Sequence, residues 1–124
     1  MKIAITSQGD KLNSEVDPRF GRCLYFLIVD SETESFEAVE NPAVSAGGGA
    51  GIQASQLVLD RGVEAVITGN VGPNAFRTLQ GAGIKIYGGA SGTVEQSLKS
   101  FKEGKLQDLS NASVPSRFGM RGGA

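Results

Sequence analysis

The sequence contains no histidine and no tryptophan, and it has a single cysteine, Cys23. The absence of histidine excludes imidazole general bases, Ser-His and Cys-His nucleophile systems, and every zinc site that needs an imidazole ligand. One cysteine cannot form an internal disulfide, so the reducing cytoplasm is the predicted location. With one cysteine and no histidine, a structural zinc site within one chain is not expected.

Long apolar runs and an excess of charge of one sign are also lacking. No apolar stretch approaches the ~18 residues of a membrane span, and the segment from Met1 to Thr6 is too short for the core of a signal peptide. Twelve Lys and Arg stand against 13 Asp and Glu, which gives a net charge of −1. Binding to nucleic acid would need a basic face. We therefore expect neither a membrane nor a nucleic acid as a partner.

Glycine, in contrast, is abundant, with 18 of the 124 residues, about twice its usual share of ~7%. The length is that of a single domain, and the hydrophobic content of 40% is enough for a core. From Gln107 the pattern gives way to Ser, Asn, Pro, Gly and Arg. We therefore predict a single folded domain over 1–106 and a flexible tail over 107–124. In that tail Arg117-Phe118-Gly119 repeats Arg19-Phe20-Gly21, which chance in a glycine-rich chain explains about as well as a shared role does.

The apolar pattern predicts five strands and three helices in the order β, β, β, α, β, α, β, α. The strands are predicted at Lys2 to Thr6, Leu24 to Val29, Ser35 to Glu40, Val63 to Thr68 and Ile84 to Tyr87, and the helices at about Gly51 to Arg61, from Gly72 onward and from Thr93 to Gly104. Ala54, Leu57 and Val58, with Ile52 as a further candidate, would face the core from the first helix. Thr93 and Gln96 have the form of a capping box. The hairpins and βαβ units predict a mixed sheet with the first strand at its centre, beside the strand that ends at Thr68.

Three loops, 7–10, 68–72 and 88–92, follow the predicted parallel strands and are expected at the same edge of the sheet. The last two run into helix N-termini, where free N–H groups and the helix dipole favour an anion. Glycines let the backbone approach a ligand closely, and Asn, Ser and Thr add uncharged donors. The candidate binding residues in these loops are Gly69, Asn70, Gly72, Gly89, Ser91 and Thr93. The alternative, that the glycines serve only tight turns and helix caps, stays open.

A further glycine-rich loop, 47–51, precedes the first predicted helix. It is not a nucleotide P-loop, because Ile52 and Gln53 follow where Lys and Ser or Thr are required. It is not a dinucleotide-binding fingerprint either, because it follows a long loop instead of a strand. We expect Gly49 to contribute to a flexible flap over a bulky ligand.

The most distinctive segment is 17–23, Asp-Pro-Arg-Phe-Gly-Arg-Cys, in which two arginines flank an aromatic ring predicted to be exposed. The guanidinium groups of Arg19 and Arg22 would hold an anion and lower the pKa of the Cys23 thiol, which favours a thiolate ligand for a soft metal. Arg19, Phe20, Gly21 and Arg22 are therefore candidate binding residues, and Cys23 is a candidate metal ligand. The alternative is that Cys23, which directly precedes an apolar strand, is simply buried.

Several short segments carry a further signal in their order and spacing. They are Phe20-Gly21-Arg22 before 25–30, Glu40-Asn41-Pro42, 48–51, 69–76, and 84–87 followed by Gly92-Thr93-Val94. Over about 2–106 this pattern resembles the dinitrogenase iron–molybdenum cofactor biosynthesis family, the small carriers and accessory domains of nitrogenase cofactor assembly. The resemblance implies a ribonuclease-H-like three-layer α/β fold with a five-stranded mixed sheet and three helices. It also implies non-catalytic binding of an iron–sulfur or iron–molybdenum-type cluster or precursor, with cofactor-assembly proteins as partners.

One position departs from the family pattern. Cofactor-carrying members commonly have a histidine before Phe-Gly, where this sequence has Arg19. Because arginine cannot ligate a metal, either Cys23 would substitute as a ligand or Arg19 would pair with an anionic cluster. A nuclease, which a ribonuclease-H-like fold would allow, is rejected because the first strand carries none of the carboxylates that two-metal cleavage needs.

The leading prediction is a cytoplasmic, non-catalytic binding or carrier protein for an anionic metal–sulfur cofactor. A single thiolate cannot hold a cluster that ordinarily takes four, so the cluster would arrive largely preassembled or be shared between chains. Two alternatives stay open. The protein would otherwise be a binding module for a phosphorylated or other anionic small molecule, or a partner-interaction domain without a ligand.

Overall fold

The computed structural model describes residues 1–45 and 48–109. Within them the strands are β1 (Lys2–Ser7), β2 (Tyr25–Asp30), β3 (Phe36–Glu40), β4 (Ala65–Ile67), β5 (Lys85–Gly88) and β6 (Gln107–Asp108), and the helices are α1 (Ala50–Asp60), α2 (Pro73–Gly81) and α3 (Val94–Lys102). A short 3-10 helix covers Pro42–Ser45. Most of the predicted tail, including its Arg117-Phe118-Gly119 segment, lies outside the described residues.

All six strands form one mixed sheet in the order β3-β2-β1-β4-β5-β6. β1 lies at its centre, antiparallel to β2 and parallel to β4, and this confirms the predicted α/β fold with a mixed sheet and the predicted position of the first strand. The prediction of five strands is wrong, because Gln107–Asp108 pairs antiparallel with β5. A two-residue strand has no apolar alternation that a sequence pattern could reveal.

Helices cover both faces of the sheet, so the domain has three layers. α1 and α2 pack on the face that carries Ala4, Phe26 and Val66. α3 packs on the opposite face, against Ile3 and Ile5. The alternation of Ile3, Ala4 and Ile5 between the two cores follows from the two-residue period of a strand, and it explains why β1 is apolar throughout.

Helix burial agrees with the predicted stripe only in part. Ala54 and Val58 of α1 are fully buried, and Leu57 packs at the edge of the core. The expectation for Ile52 is wrong, because its side chain is 50% exposed. The structure confirms the capping box of α3, in which the Gln96 N–H donates to the Thr93 hydroxyl at 3.1 Å and the Thr93 N–H donates to the Gln96 side chain at 2.9 Å.

In the described part of the chain, no helix combines the length and the apolar character needed to cross a membrane.

Candidate functional site

A cavity of about 280 Å³ opens where the N-terminal ends of α1 and α2 meet the turn before β2. Its wall is made of three segments, Gly21–Arg22, 49–52 and 72–75. The first precedes β2, and the other two contain the first turns of α1 and α2. The cavity therefore joins residues from three separate parts of the sequence.

Glycines allow these three segments to approach one another closely. A Cβ atom on Gly21 would lie 3.0 Å from the Cα and N atoms of Gly51, and a Cβ on Gly51 would lie 3.2 Å from the Cβ of Ala75. Gly49 has a φ of 72°, in the left-handed region that favours glycine. Gly49, just before α1, thus sets the direction of the chain, and Gly51, in the first turn of α1, allows the contact between the two helix ends.

Both helices begin at this cavity without a side-chain cap. Their N-cap residues, Gly49 and Gly72, make no side-chain hydrogen bond, and neither helix has an acidic residue in its first turn. Pro73 occupies the first turn of α2, where its missing N–H costs no intrahelical bond. The first N–H groups of a helix have no intrahelical acceptor, so two positive helix ends face the same space.

The charge of the cavity wall is also positive. Among the described residues that line the cavity, Arg22 carries a charge and none is a carboxylate. Its Nη1 atom lies 3.5 Å from the Val44 carbonyl oxygen, so the guanidinium group is anchored at the edge of the cavity. Together with the two helix ends, this arrangement favours a negatively charged ligand.

The structure places four of the predicted binding residues in the cavity wall, namely Gly21, Arg22, Gly49 and Gly72. Sequence reasoning missed the rest of the wall, which consists of Ala50, Gly51, Ile52, Pro73, Asn74 and Ala75. Two features of the sequence could have indicated these residues, namely the glycine-rich start of α1, which has no capping side chain, and the proline at the start of α2. These segments come together through packing between distant parts of the chain, which cannot be predicted from local sequence patterns.

Arg19 and Phe20 lie outside the cavity. The Nε of Arg19 is 3.3 Å from the Oδ1 of buried Asp17, so its charge is already paired. The expectation that Phe20 is exposed is wrong, because it is buried in the core with its ring centroid 5.4 Å from that of Phe26. The Phe20 N–H donates to the Asn70 carbonyl at 3.1 Å, which draws this segment into the interior.

Gly69 and Asn70 are covered by the segment that precedes Phe20. The Asn70 N–H donates to the Pro18 carbonyl at 2.7 Å, and a Cβ on Gly69 would lie 2.7 Å from the Cα of Pro18. Gly69 therefore permits a close approach between two backbone segments. Neither residue is among those that line the cavity.

Gly89, Ser91 and Thr93 lie away from the cavity, contrary to the expectation that their loop shares the anion site. α3 packs on the other face of the sheet, and the N–H groups at its start are occupied by the protein. The Val94 and Glu95 N–H groups donate to the carbonyls of Ser14 and Leu12 at 2.9 and 2.8 Å, and the Gly89 N–H donates to the Gly69 carbonyl at 3.1 Å.

Cys23 is fully buried. The expected lowering of its thiol pKa is wrong, because burial, together with the negative charge of Asp17, raises the pKa to about 12. The Sγ–H donates to the Phe20 carbonyl at 3.4 Å. The buried interpretation thus describes the residue better than the ligand interpretation does. Within residues 1–45 and 48–109, no group of three or more His, Cys, Asp or Glu side chains is arranged to hold a metal ion.

Comparison with known proteins identifies similar sequences and structures over nearly the whole described chain. The family model for the dinitrogenase iron–molybdenum cofactor matches residues 1–104. An uncharacterized protein of Methanocaldococcus jannaschii is 34% identical over 110 residues, which are 86% of this chain and 90% of that protein.

Among solved structures, the apo form of the orange protein from Desulfovibrio gigas has a TM-score of 0.85 and 40% identity, over 94% of this chain and 96% of that chain. The NMR structure of a Thermotoga protein has a TM-score of 0.78 and 41% identity, over 93% of this chain and 98% of that chain.

Proposed function

The chain belongs to the dinitrogenase iron–molybdenum cofactor family, and we propose that it binds and carries an anionic metal–sulfur cofactor, or a precursor of one, without catalysing a reaction. The observation that carries this proposal is the meeting of two uncapped helix N-termini and Arg22 in one cavity. The family name supports a metal–sulfur cargo, and the cavity supports the binding of a negatively charged one.

The donors of the cavity suit a multiply charged anion. A helix N-terminus stabilises a nearby anion by roughly 0.3–1 kcal/mol at an exposed site and by up to ~2 kcal/mol when it is partly buried. Here two such termini act with the guanidinium group of Arg22, and no carboxylate in the described part of the lining opposes them. An anion with two or three charges would gain more from this arrangement than a singly charged one.

Among residues 1–45 and 48–109, those that line the cavity include no cysteine, histidine, aspartate or glutamate. A cluster in this cavity would be held by hydrogen bonds and charge, because thiolate and imidazole ligands are lacking there. Such cargo must already have its coordination shell complete, so we propose that it arrives preassembled. Its size is limited as well, since the volume of about 280 Å³ is just below the usual range for drug-sized ligands.

The ion pair of Arg19 with Asp17 gives this arginine a structural role. The proposed site depends neither on this position nor on Cys23.

We further propose a cytoplasmic location, because Cys23 is a buried free thiol. Partner proteins of cofactor assembly are part of the proposal, because a carrier must receive and deliver its cargo. We also propose that the fold is ribonuclease-H-like, because a mixed sheet carries helices on both of its faces.

A second candidate function follows from the same donors. Backbone N–H groups and arginine also bind oxyanions, so the cavity would suit a phosphorylated small molecule. The lining residues that the structure describes include no metal ligand, and this favours the second candidate as much as it favours a preassembled cluster.

An anaerobic NMR titration separates the two candidates. Tetrathiomolybdate serves as a compact molybdenum–sulfur dianion, and molybdate serves as an oxyanion of the same charge and shape. We expect tetrathiomolybdate to shift the amide signals of Gly21, Gly51 and Asn74, while those of Gly89 and Val94 stay in place. Equal or stronger binding of molybdate would favour the second candidate. No shift at the cavity with either anion would contradict both.

A further inference from the structure

Asn41 is a buried polar residue that lies between β3 and the 3-10 helix, only 3% exposed. Its Nδ2 group donates to the carbonyls of Gly21 and Cys23, at 3.1 and 2.9 Å. Its Oδ1 accepts from the Ala43 N–H at 3.0 Å. These bonds use both amide hydrogens and the amide oxygen, so the side chain ties the turn at 21–23 to the segment after β3.

The two carbonyls that Asn41 holds flank Arg22. Because both oxygens accept from a buried side chain that does not line the cavity, they are turned toward the interior. Carbonyl oxygens carry partial negative charge and would repel an anion if they faced the cavity. Arg22, which lies between these two carbonyls in the sequence, lines the cavity wall.

The same clamp places Gly21. A Cβ on Gly21 would lie 3.0 Å from the backbone of Gly51, so Gly21 rests against the first turn of α1. A shift of the turn at 21–23 would therefore change both the position of Arg22 and the contact with one of the two helix ends.

We propose that Asn41 is a positioning residue of the anion site, which fixes Arg22 and turns the neighbouring carbonyls away from the ligand. This inference rests on the proposed function for its ligand, but not for its geometry. Asn41 itself does not touch the bound anion. A carboxamide suits this task because it offers two donors and an acceptor in one short side chain, whereas an ionised aspartate offers no donor and serine offers one.

The first test uses the free protein and two variants. Asn41→Ala removes the clamp, and Val58→Ala removes buried side-chain volume in α1 but leaves the hydrogen bonds of Asn41 to the turn in place. We expect the NMR order parameter of the Arg22 amide to fall from ~0.85 to below ~0.6 in Asn41→Ala and to stay unchanged in Val58→Ala. If Asn41→Ala does not fold, Asn41→Ser retains one donor and should give a smaller loss of order at Arg22.

The second test is a double-mutant cycle with tetrathiomolybdate. We expect Asn41→Ala to weaken tetrathiomolybdate binding about 10-fold. Arg22→Gln should weaken it about 10-fold in the wild type, but less than about 3-fold when Asn41 is already alanine. The two losses are not additive because one residue acts through the other. Val58→Ala should retain the wild-type affinity once it is folded, whereas a merely structural role for Asn41 would make the two variants alike. Asn41→Ser takes the place of Asn41→Ala in the cycle if the alanine variant does not fold.

An ordered Arg22 in the Asn41 variant, or additive losses in the cycle, would overturn the inference. A wild-type protein that binds neither tetrathiomolybdate nor molybdate would instead remove the proposed function. In that case the order parameters alone still decide whether Asn41 positions Arg22, so the two failures are distinguishable.

Discussion

Gly69 and Gly81 are glycines with very different surroundings. A Cβ on Gly69 would lie 2.7 Å from the Cα and 2.8 Å from the carbonyl oxygen of Pro18, whereas a Cβ on Gly81 would have no neighbour within 4 Å. Neither residue has a positive φ. Some of the many glycines therefore lie in close backbone contacts that leave no room for a side chain, whereas others lie where a side chain would fit.

Alanine substitutions at these two glycines should have opposite effects on stability. We expect Gly69→Ala to lower the free energy of unfolding by about 1–3 kcal/mol, because the new methyl group meets backbone atoms that cannot turn aside. Gly81→Ala, at the end of α2, should raise it by up to ~1 kcal/mol through helix propensity. Urea denaturation of both variants measures the difference. Equal stability of Gly69→Ala and the wild type would show that the Pro18 segment is not held against β4.

Arg22 carries the side-chain charge of the cavity, so its removal should weaken anion binding. We expect Arg22→Gln to raise the Kd for tetrathiomolybdate about 10-fold, which corresponds to ~1.4 kcal/mol. Arg61→Gln is the matched control, since Arg61 follows the last residue of α1 and pairs with Glu37 at 2.7 Å. An equal loss in both variants would mean that only overall charge matters.

The raised pKa of Cys23 makes stability depend on alkaline pH. The thiol pKa is about 12 in the folded protein, above its ordinary value of 9.0, so the folded state keeps the proton while the unfolded state loses it. Its contribution is complete below pH 9 and is lost as the pH rises toward 12. We expect the free energy of unfolding to fall by at most ~1.4 kcal/mol per pH unit in that interval because of this group.

The measurement for Cys23 is urea denaturation of the wild type and Cys23→Ala between pH 8 and 10.5. Lysine and tyrosine also titrate there, so the readout is the difference between the two proteins. That difference should shrink as the pH rises above 9. A constant difference would instead indicate that the thiol has the same pKa in the folded and unfolded states, and a difference that grows up to about pH 9 would indicate a thiol already ionised in the folded state, as a metal ligand would be.

At the scale of whole elements, the three helices begin in similar glycine-containing loops but end up with different N-termini. α3 is closed by its own capping box and by carbonyls of Leu12 and Ser14. α1 and α2 have no side-chain cap. The capping box was predictable because its two residues are three positions apart. The cover from Leu12 and Ser14 was not, since it comes from a loop about 80 residues earlier in the chain.

A new cap on α2 should stabilise the helix and close the site. Gly72 has extended backbone angles, and a Cβ there would meet nothing within 4 Å, so the aspartate of Gly72→Asp fits. We expect this variant to gain about 0.3–1 kcal/mol of stability while it loses tetrathiomolybdate binding, because its carboxylate takes the N–H groups and repels the anion. Gly72→Asn is the neutral control and should lose less affinity. Full retention of binding in Gly72→Asp would contradict a role for the α2 terminus.

At the scale of the whole molecule, sequence reasoning recovered the mixed sheet, but it grouped into one site several loops that the structure keeps apart. Ligands of α/β sheets usually bind in the crevice beyond the carboxyl ends of parallel strands. Here the segment around Asp17 and Pro18 fills that position, with the Asp17 N–H donating to the Thr6 carbonyl at 3.0 Å. The cavity instead forms beside it, where α1 and α2 begin. Local patterns predict elements, whereas the path of an irregular loop depends on long-range contacts.

The end of the folded domain is a further property of the whole molecule. The domain was predicted to end at residue 106, but the sheet continues to β6. β6 closes the edge of β5, the Leu109 N–H donates to the Ile86 carbonyl at 2.7 Å, and the Leu109 side chain packs on the α1–α2 core. A chain ending at residue 106 loses these contacts, whereas a chain ending at residue 109 keeps them. We expect the shorter chain to be less stable than the 1–109 chain by about 1–3 kcal/mol in urea denaturation.

The 1–109 chain should bind tetrathiomolybdate as the full chain does, because the cavity is built from residues 21–75. Equal stability of the two shortened chains would mean that β6 adds nothing to the sheet. A loss of affinity on removing 110–124 would assign the arginines of that segment a part in binding, which the cavity alone does not require.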